Sequence, residues 1–503
     1  MNVFKMLNNL SVLSVLIWLP ILVGCLLLLC NNKTYQVALK CCAVVCSFGC
    51  LVLCLALFVC FQNTAWQFQF VEYRNWLPEV GIKYALGVDG FSLLLIALTC
   101  LMTFLVLIAT TPRSAKGQYC AAFLIMQGLL CGVFAALDAI LFYVFFEAML
   151  IPMFLIIGVW GGENRVYATI KLFLFTVIGS VSLLTALIYL LIKAKLLGLP
   201  EPMFTITSFQ QLSLSAIEQK WLFVAMLIAF AVKLPMLPVH TWLPDAHVEA
   251  PTGGSVILAA IMLKVGGYGM LRFLLPIVPD ACLEFSKVIL ILSLVAIVYI
   301  GLITIVQQDL KKLIAYSSIS HMGFVSLGIF LLPQTSLGIE GAMFQMLAHG
   351  LIVGALFFCA GVLYDRVHSR IIADYSGVAH IMPKLAVCFM LFALASIGLP
   401  GTVGFVGELL VLLAAMKLNF WYAFFAGTIL VLGAGYTLWM YKNIMFGTTN
   451  YVTTEIKDLH WNEMFVLVVL GVIIIFFGIW PEPVLAVMRA SAQHITELSC
   501  IHK

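Results

Sequence analysis

Apolar stretches of about twenty residues follow one another along almost the whole of this chain, and they leave it few folds to adopt. A helix needs about 20 predominantly apolar residues to cross the hydrocarbon of a bilayer. Fourteen stretches qualify, near 12–30, 37–61, 86–109, 119–136, 138–159, 167–192, 221–238, 254–275, 286–305, 312–332, 341–363, 385–413, 420–443 and 464–486. They are continuous rather than alternating, which selects spanning helices over a barrel. Only 10% of the residues are charged, against about 25% in soluble domains. The expected fold is an all-α polytopic membrane protein with about 14 transmembrane helices. The net charge of +4 is small and scattered, so nucleic-acid binding has no support.

Four ionisable residues lie inside these stretches: Glu147, Lys233, Lys264 and Glu408. A charge at the bilayer centre costs roughly 2.5–3.5 kcal/mol on insertion scales, so such residues face a bundle interior or a water-filled path and mark ion pathways. Two of the spans are also interrupted. Span 7 carries Pro235 and Pro238 just after Lys233, and span 12 carries Gly398, Pro400, Gly401, Gly404 and Gly407 just before Glu408. Proline removes a backbone donor and clashes with the preceding turn, so both helices are expected to break. Broken backbone at that depth is tolerated only where it lines protein or a cavity. Interruptions five spans apart fit inverted five-helix repeats, spans 4–8 and 9–13. The chain then divides into residues 1–110 (spans 1–3), 119–275 (first repeat), 286–443 (second repeat) and 464–503 (span 14 and a short tail).

Lys5 and the apolar run after it imitate a signal peptide, but no small-residue cleavage site follows. Lys and Arg concentrate in the loops after odd-numbered spans, among them Lys33, Arg113, Lys116, Lys311 and Arg366. The positive-inside rule makes those loops cytoplasmic and puts both termini on the periplasmic side. Of the fifteen cysteines, Cys42, Cys46, Cys50 and Cys54 share one face of span 2 and read as small apolar packing residues. No iron–sulfur or disulfide framework is expected of them.

Proton transfer needs titratable groups whose affinity a neighbour can change. Glu147 and Lys233 suit such a pair, with Lys264 competing for the carboxylate; a static ion pair between helices is the alternative. His321 and His349 titrate near neutrality and suit a relay between Lys264 and Glu408, or else are hydrogen-bonded packing residues. Tyr316, Ser317, Ser318 and Ser320 either hold water or stitch helices together. The segment HTWLPDAHVEAP, with His240, Asp245, His247 and Glu249, matches no strong metal motif. It reads instead as a loop at the membrane edge that caps the following helix.

The stretch VKLPMLPVHTWLPDAHVEAPTGGSVILAAIMLKVGGYGMLR (232–272) resembles the antiporter-like subunits of respiratory complex I. So do GVDGFSLLL (87–95), FEAMLIPMFLIIGVWGG (146–162), QQDLKKLIAYSSISHMG (307–323) and LPGTVGFVGELL (399–410). The resemblance covers essentially all fourteen spans. Within the family it points to the M-type branch, because Glu408 stands where other branches usually place lysine and because no long lateral helix follows span 14. It implies inverted half-channels with spans 7 and 12 broken. Glu147 and Lys233 match the ion pair, Lys264 the central lysine, His321 and His349 the connecting relay, and Glu408 the group near the outer exit. It also implies proton pumping driven by electron transfer from NADH to quinone, in a bacterial inner membrane. NADH, FMN, iron–sulfur clusters and quinone would sit on other subunits, with none on this chain. The implied partners are membrane subunits on both flanks, the lipid bilayer, and protons and water as the moving species. A subunit of a multi-protein Na⁺/H⁺ antiporter is the alternative, and a purely structural scaffold a third.

Overall fold

A computed structural model describes residues 11–30, 35–79, 81–110, 117–198, 204–332, 335–449 and 456–500. Lys5, Lys33, Arg113 and Lys116 lie outside them. Twelve helices among the described residues are long and apolar enough to cross a membrane. They are α1 (Val12–Leu29), α2 (Gln36–Cys60), α3 (Gly90–Ala109), α4 (Gly117–Ala135), α5 (Ala139–Trp160), α6 (Arg165–Leu196), α9 (Thr252–Ile277), α10 (Pro279–Ile305), α11 (Leu310–Phe330), α12 (Leu337–Val367), α15 (Phe420–Met445) and α16 (Trp461–Ile479). The remaining expected spans, 7 and 12, are those the sequence marks as interrupted. Span 7, expected over 221–238, ends early as α7 (Ala216–Lys233) and is followed by a separate helix α8 (Trp242–Glu249); span 12 divides into α13 (Pro383–Ser396) and α14 (Val403–Leu418).

Apolar helices need no polar face here, so burial sorts them instead. The most apolar stretches of α9 and α12 are fully buried, and that of α11 nearly so. These three helices form the centre of the bundle. Around them α1, α2, α6, α15 and α16 present Leu22, Val59, Ile178, Val431 and Val472 outward, a surface suited to hydrocarbon.

Three features were not read from the sequence. The loop before α3 holds an antiparallel hairpin, β1 (Gln69–Leu77) and β2 (Ile82–Val88), with Arg74 opposite Tyr84. The tail is a 19-residue helix, α17 (Glu482–Cys500), packed on α3 and α12. And α5 is distorted at Met149, one residue after Ala148, whose carbonyl Pro152 cannot serve. That distortion falls beside Glu147.

Candidate functional site

The break after Lys233 has a local cause. Pro235 and Pro238 end α7, and the buried carbonyl of Val232, near the end of α7, accepts a hydrogen bond from Trp242 Nε1 (3.0 Å) at the start of α8. The chain therefore continues as a second helix, and α8 is no edge loop. Its Trp242, Leu243, Ala246, His247, Val248 and Glu249 are buried. Nor does it cap α9, which begins after Pro251 with no side-chain cap. Asp245 pairs with Lys171 of α6 (2.6 Å), and Glu249 accepts from the backbone of Asn164 (3.0 Å). No cluster of three metal-ligating side chains occurs among the described residues.

Span 12 breaks over residues 397–402, where Gly398 and Gly401 take positive φ (82° and 92°). Gly404 and Gly407, expected within the break, lie inside α14 instead. There they allow close approach: a Cβ on Gly407 would stand 2.9 Å from the backbone nitrogen of Gln345 on α12. A Cβ on Gly398 would stand 2.6 Å from Glu408 Oε2, so the break itself forms part of the Glu408 pocket.

Lys264 sits between two π-type turns of α9, Leu258–Met262 and Met270–Leu274. Such turns free carbonyls that a regular helix would use. Its Nζ donates to Ala259 O (2.7 Å) and lies 2.8 Å from His349 Nδ1. The His349 and His321 rings are 6.1 Å apart between centroids. His321 Nδ1 lies 3.2 Å from Glu408 Oε1, without the alignment of a hydrogen bond. Gln345 Nε2 donates to the same oxygen (3.4 Å). Lys264, His349, His321 and Glu408 are all buried and follow one another across four helices, the last of them α14 just after the break. The cavity among the last three has room for about 10 Å³ of water centres, near the roughly 10–15 Å³ that one water needs.

The other two expected site residues stand apart from this row. Lys233 is buried, its Nζ has no hydrogen-bond partner, and it lies 4.8 Å from the Phe146 ring centroid. Glu147 is only half-buried, and its Oε1 is likewise without a partner. The two form no ion pair within 4.0 Å among the described residues, though the Glu147 carboxylate faces the lysine. Val144, Ile151 and Leu155 beside Glu147 are exposed, so this carboxylate borders the outer surface of the chain.

Sequence reasoning passed over two groups here, Gln345 and Tyr436, and read a third, His247, only as part of an edge loop. His247 is fully buried, both ring nitrogens lack partners, and its ring stacks on Phe357 (4.7 Å). Gln345 lies four residues before His349, so helical spacing could have found it. Tyr436 on α15 is buried facing Glu408, with its hydroxyl unpartnered; no pattern in the sequence points to it. Of the hydroxyls near His321, Ser320 donates to Ile297 O across to α10 (2.9 Å), whereas Ser317 and Ser318 bond within their own helix.

The NADH:quinone oxidoreductase/Mrp antiporter transmembrane family model matches residues 136–433. NADH-quinone oxidoreductase subunit M of Rickettsia prowazekii (strain Madrid E) is 46% identical over 85% of this chain and 86% of its own length. The chain belongs to the subunit M family of NADH-quinone oxidoreductases. NADH-ubiquinone oxidoreductase chain 4 of Marchantia polymorpha is 41% identical over 97% of both chains. Respiratory complex I from Thermus thermophilus contains a chain with 31% identity and a TM-score of 0.87, covering 98% of this chain and all of that one.

Proposed function

We propose that this chain is a proton-translocating membrane subunit of NADH-quinone oxidoreductase, coupling electron transfer from NADH to quinone to proton movement across the membrane. The observation that carries the proposal is the buried row Lys264–His349–His321–Glu408, anchored at a 2.8 Å contact and ending beside a broken helix. Membership in the M family supports the coupling to NADH oxidation.

In this reading Glu147 and Lys233 form the control pair. A charge arriving from a neighbouring subunit draws the Glu147 carboxylate toward or away from Lys233, and the altered field moves a proton from Lys264 through His349 and His321 to Glu408. The half-buried setting of Glu147 suits such a role, because an apolar outer face with one carboxylate is costly toward lipid and is satisfied by a flanking membrane subunit. NADH, FMN, iron–sulfur clusters and quinone belong to other subunits. Residues 119–275 and 286–443 act as inverted half-channels. The chain sits in the bacterial cell membrane with loops after odd-numbered spans cytoplasmic and both termini periplasmic.

The test uses inverted membrane vesicles carrying Lys233→Ala, with NADH oxidation and the pH gradient recorded together. Loss of the gradient and of quinone-linked turnover, with the rate to an artificial acceptor intact, is expected. Wild-type pumping would sink the proposal. Its competitor, a subunit of an Na⁺/H⁺ antiporter, predicts a chain that exchanges Na⁺ for H⁺ without any electron donor.

A further inference from the structure

The relay row needs a source of protons, and a cavity among the described residues is suited to supply them. A half-open cavity of about 360 Å³ lies where α3, α5 and α12 end and α4, α9 and α16 begin. Tyr119, Trp160, Thr252, Asp365 and Glu463 line it. The two carboxylates differ in kind. Glu463 is buried and held by the Arg366 guanidinium through bonds of 3.1 and 2.6 Å. Asp365 is exposed at the mouth and forms no ion pair within 4.0 Å among the described residues. The charged and titratable groups facing it are Glu463, Arg366, Lys311, His368 and Tyr119.

One layer deeper is Lys311 of α11. It is buried, and its Nζ donates to Ala250 O (2.8 Å), next to the cavity wall at Pro251 and Thr252. It also lies 5.8 Å from the ring of Tyr364, the neighbour of Asp365. Its charged surroundings are Asp365, Asp309, Glu249 and Arg370. Next inward is the unpartnered His247, which faces both Lys311 and Lys264. His349, Phe357 and Asp365 recur at eight-residue steps along α12, so mouth and relay are about 24 Å apart at 1.5 Å per residue. Lys311 and His247 divide that distance.

We propose that this cavity is the water-filled cytoplasmic intake of the relay, with Asp365 as the proton-collecting group at its mouth and Lys311 as the first internal carrier. The inference rests on the pumping function above. Water delivers a proton to the Asp365 carboxylate, and the acid passes it to Lys311 once that side chain has given its own proton inward. The resulting ammonium returns to its base form by protonating His247, through water where the gap requires it, and the imidazolium then protonates Lys264. Each hop moves one proton and restores the donor. A lysine kept buried with a single backbone acceptor, between an unpaired carboxylate and an unpartnered imidazole, suits a carrier better than a structural brace, which would hold its carboxylate in contact.

The test is proton pumping by the intact complex in inverted vesicles from pH 6 to 9, with Asp365→Asn, Asp365→Glu and Lys233→Ala compared. Asp365→Asn is expected to keep the artificial-acceptor rate and to pump severalfold more slowly on the alkaline side, where bulk protons are scarce. The alkaline limb of its profile therefore moves to lower pH, and Asp365→Glu restores it. A wild-type profile in Asp365→Asn, with pumping lost in Lys233→Ala, overturns the intake and leaves the function standing. Wild-type pumping in Lys233→Ala overturns both. Labelling of the native complex with a water-soluble carbodiimide tests the same point without a variant. Modification of Asp365 from the cytoplasmic face that slows pumping is expected, and modification without effect, or none at all, overturns the proposal.

Discussion

Lys264 Nζ and His349 Nδ1 lie 2.8 Å apart, both fully out of contact with the surface of the bundle. Two cations do not occupy such a contact in a low-dielectric interior, so the pair holds at most one proton in excess and one nitrogen must act as acceptor. A residue that cannot release its proton breaks this arrangement even if it keeps the charge. Arginine is such a residue.

Lys264→Arg is therefore expected to pump worse than a loss of charge-size match alone would explain. The pumping rate should fall more than about tenfold, the effect of roughly 1.4 kcal/mol on a barrier, while the artificial-acceptor rate remains. Vesicle acidification against NADH oxidation reads this directly. Arginine that pumps at the wild-type rate would mean that Lys264 supplies a fixed charge and never gives up its proton.

Gly407 sits where α14 presses on α12, with Gln345 backbone 2.9 Å from the place a Cβ would take. Backbone cannot yield as a side-chain tip can, so Gly407→Ala is expected to destabilise by about 1–3 kcal/mol and to disturb the Gln345–Glu408 contact. Gly427, with nothing within 4 Å of the same added atom, supplies the matched control. Thermal unfolding of the purified complex and its pumping rate should fall together for the first variant and for neither in the second.

How much of this was legible in the sequence follows from the kind of signal involved. The spans and both breaks could be read because length, proline and glycine act locally. The buried lysines could be read because a charge amid twenty apolar residues has no local reason to be there. What could not be read was set by packing between distant segments. Gly404 and Gly407 look like the neighbouring break glycines, yet only Gly398 and Gly401 take positive φ; the other two answer to α12 and the end of α13. HTWLPDAHVEAP carries prolines that suggest a loop, but Trp242 closes the end of α7 and folds the segment back as a buried helix. The hairpin of residues 69–88 was hidden by its place between two long spans, and Tyr436 became visible only when α15 met Glu408.

Asp89 and Arg272 form a buried ion pair (2.5 Å) that joins the start of α3 to the end of α9. Asp89 also accepts from the backbone of Ser92 (3.0 Å), and the guanidinium lies over the Phe68 ring (4.9 Å). Removing one partner leaves the other charged and alone, at a cost of about 3–5 kcal/mol. Asp89→Ala and Arg272→Met should each lower the amount of assembled complex sharply. The double variant should recover part of that loss, since two apolar side chains leave no orphan charge. If the double variant is as poor as the sum of the singles, the pair is not coupled and this account of it fails.

His494 of α17 stacks on Trp66 at 3.8 Å, close to the same ion pair. Partial burial holds its imidazole below the usual range, and Arg272 adds to that, while Glu497 and Asp89 oppose it. The sign follows from linkage: docked, the ring resists protonation, and undocked it titrates near 6.5. The docking of α17 is thus at full strength above that value and weakens as the pH falls below it. Hydrogen exchange of the 482–500 amides, corrected for intrinsic rates, should show opening that grows from pH 7.5 to 5.5. His494→Gln should flatten the dependence across that window. An exchange profile in wild type that does not change with pH, or a variant that keeps the full dependence, would remove His494 from any part in holding this helix.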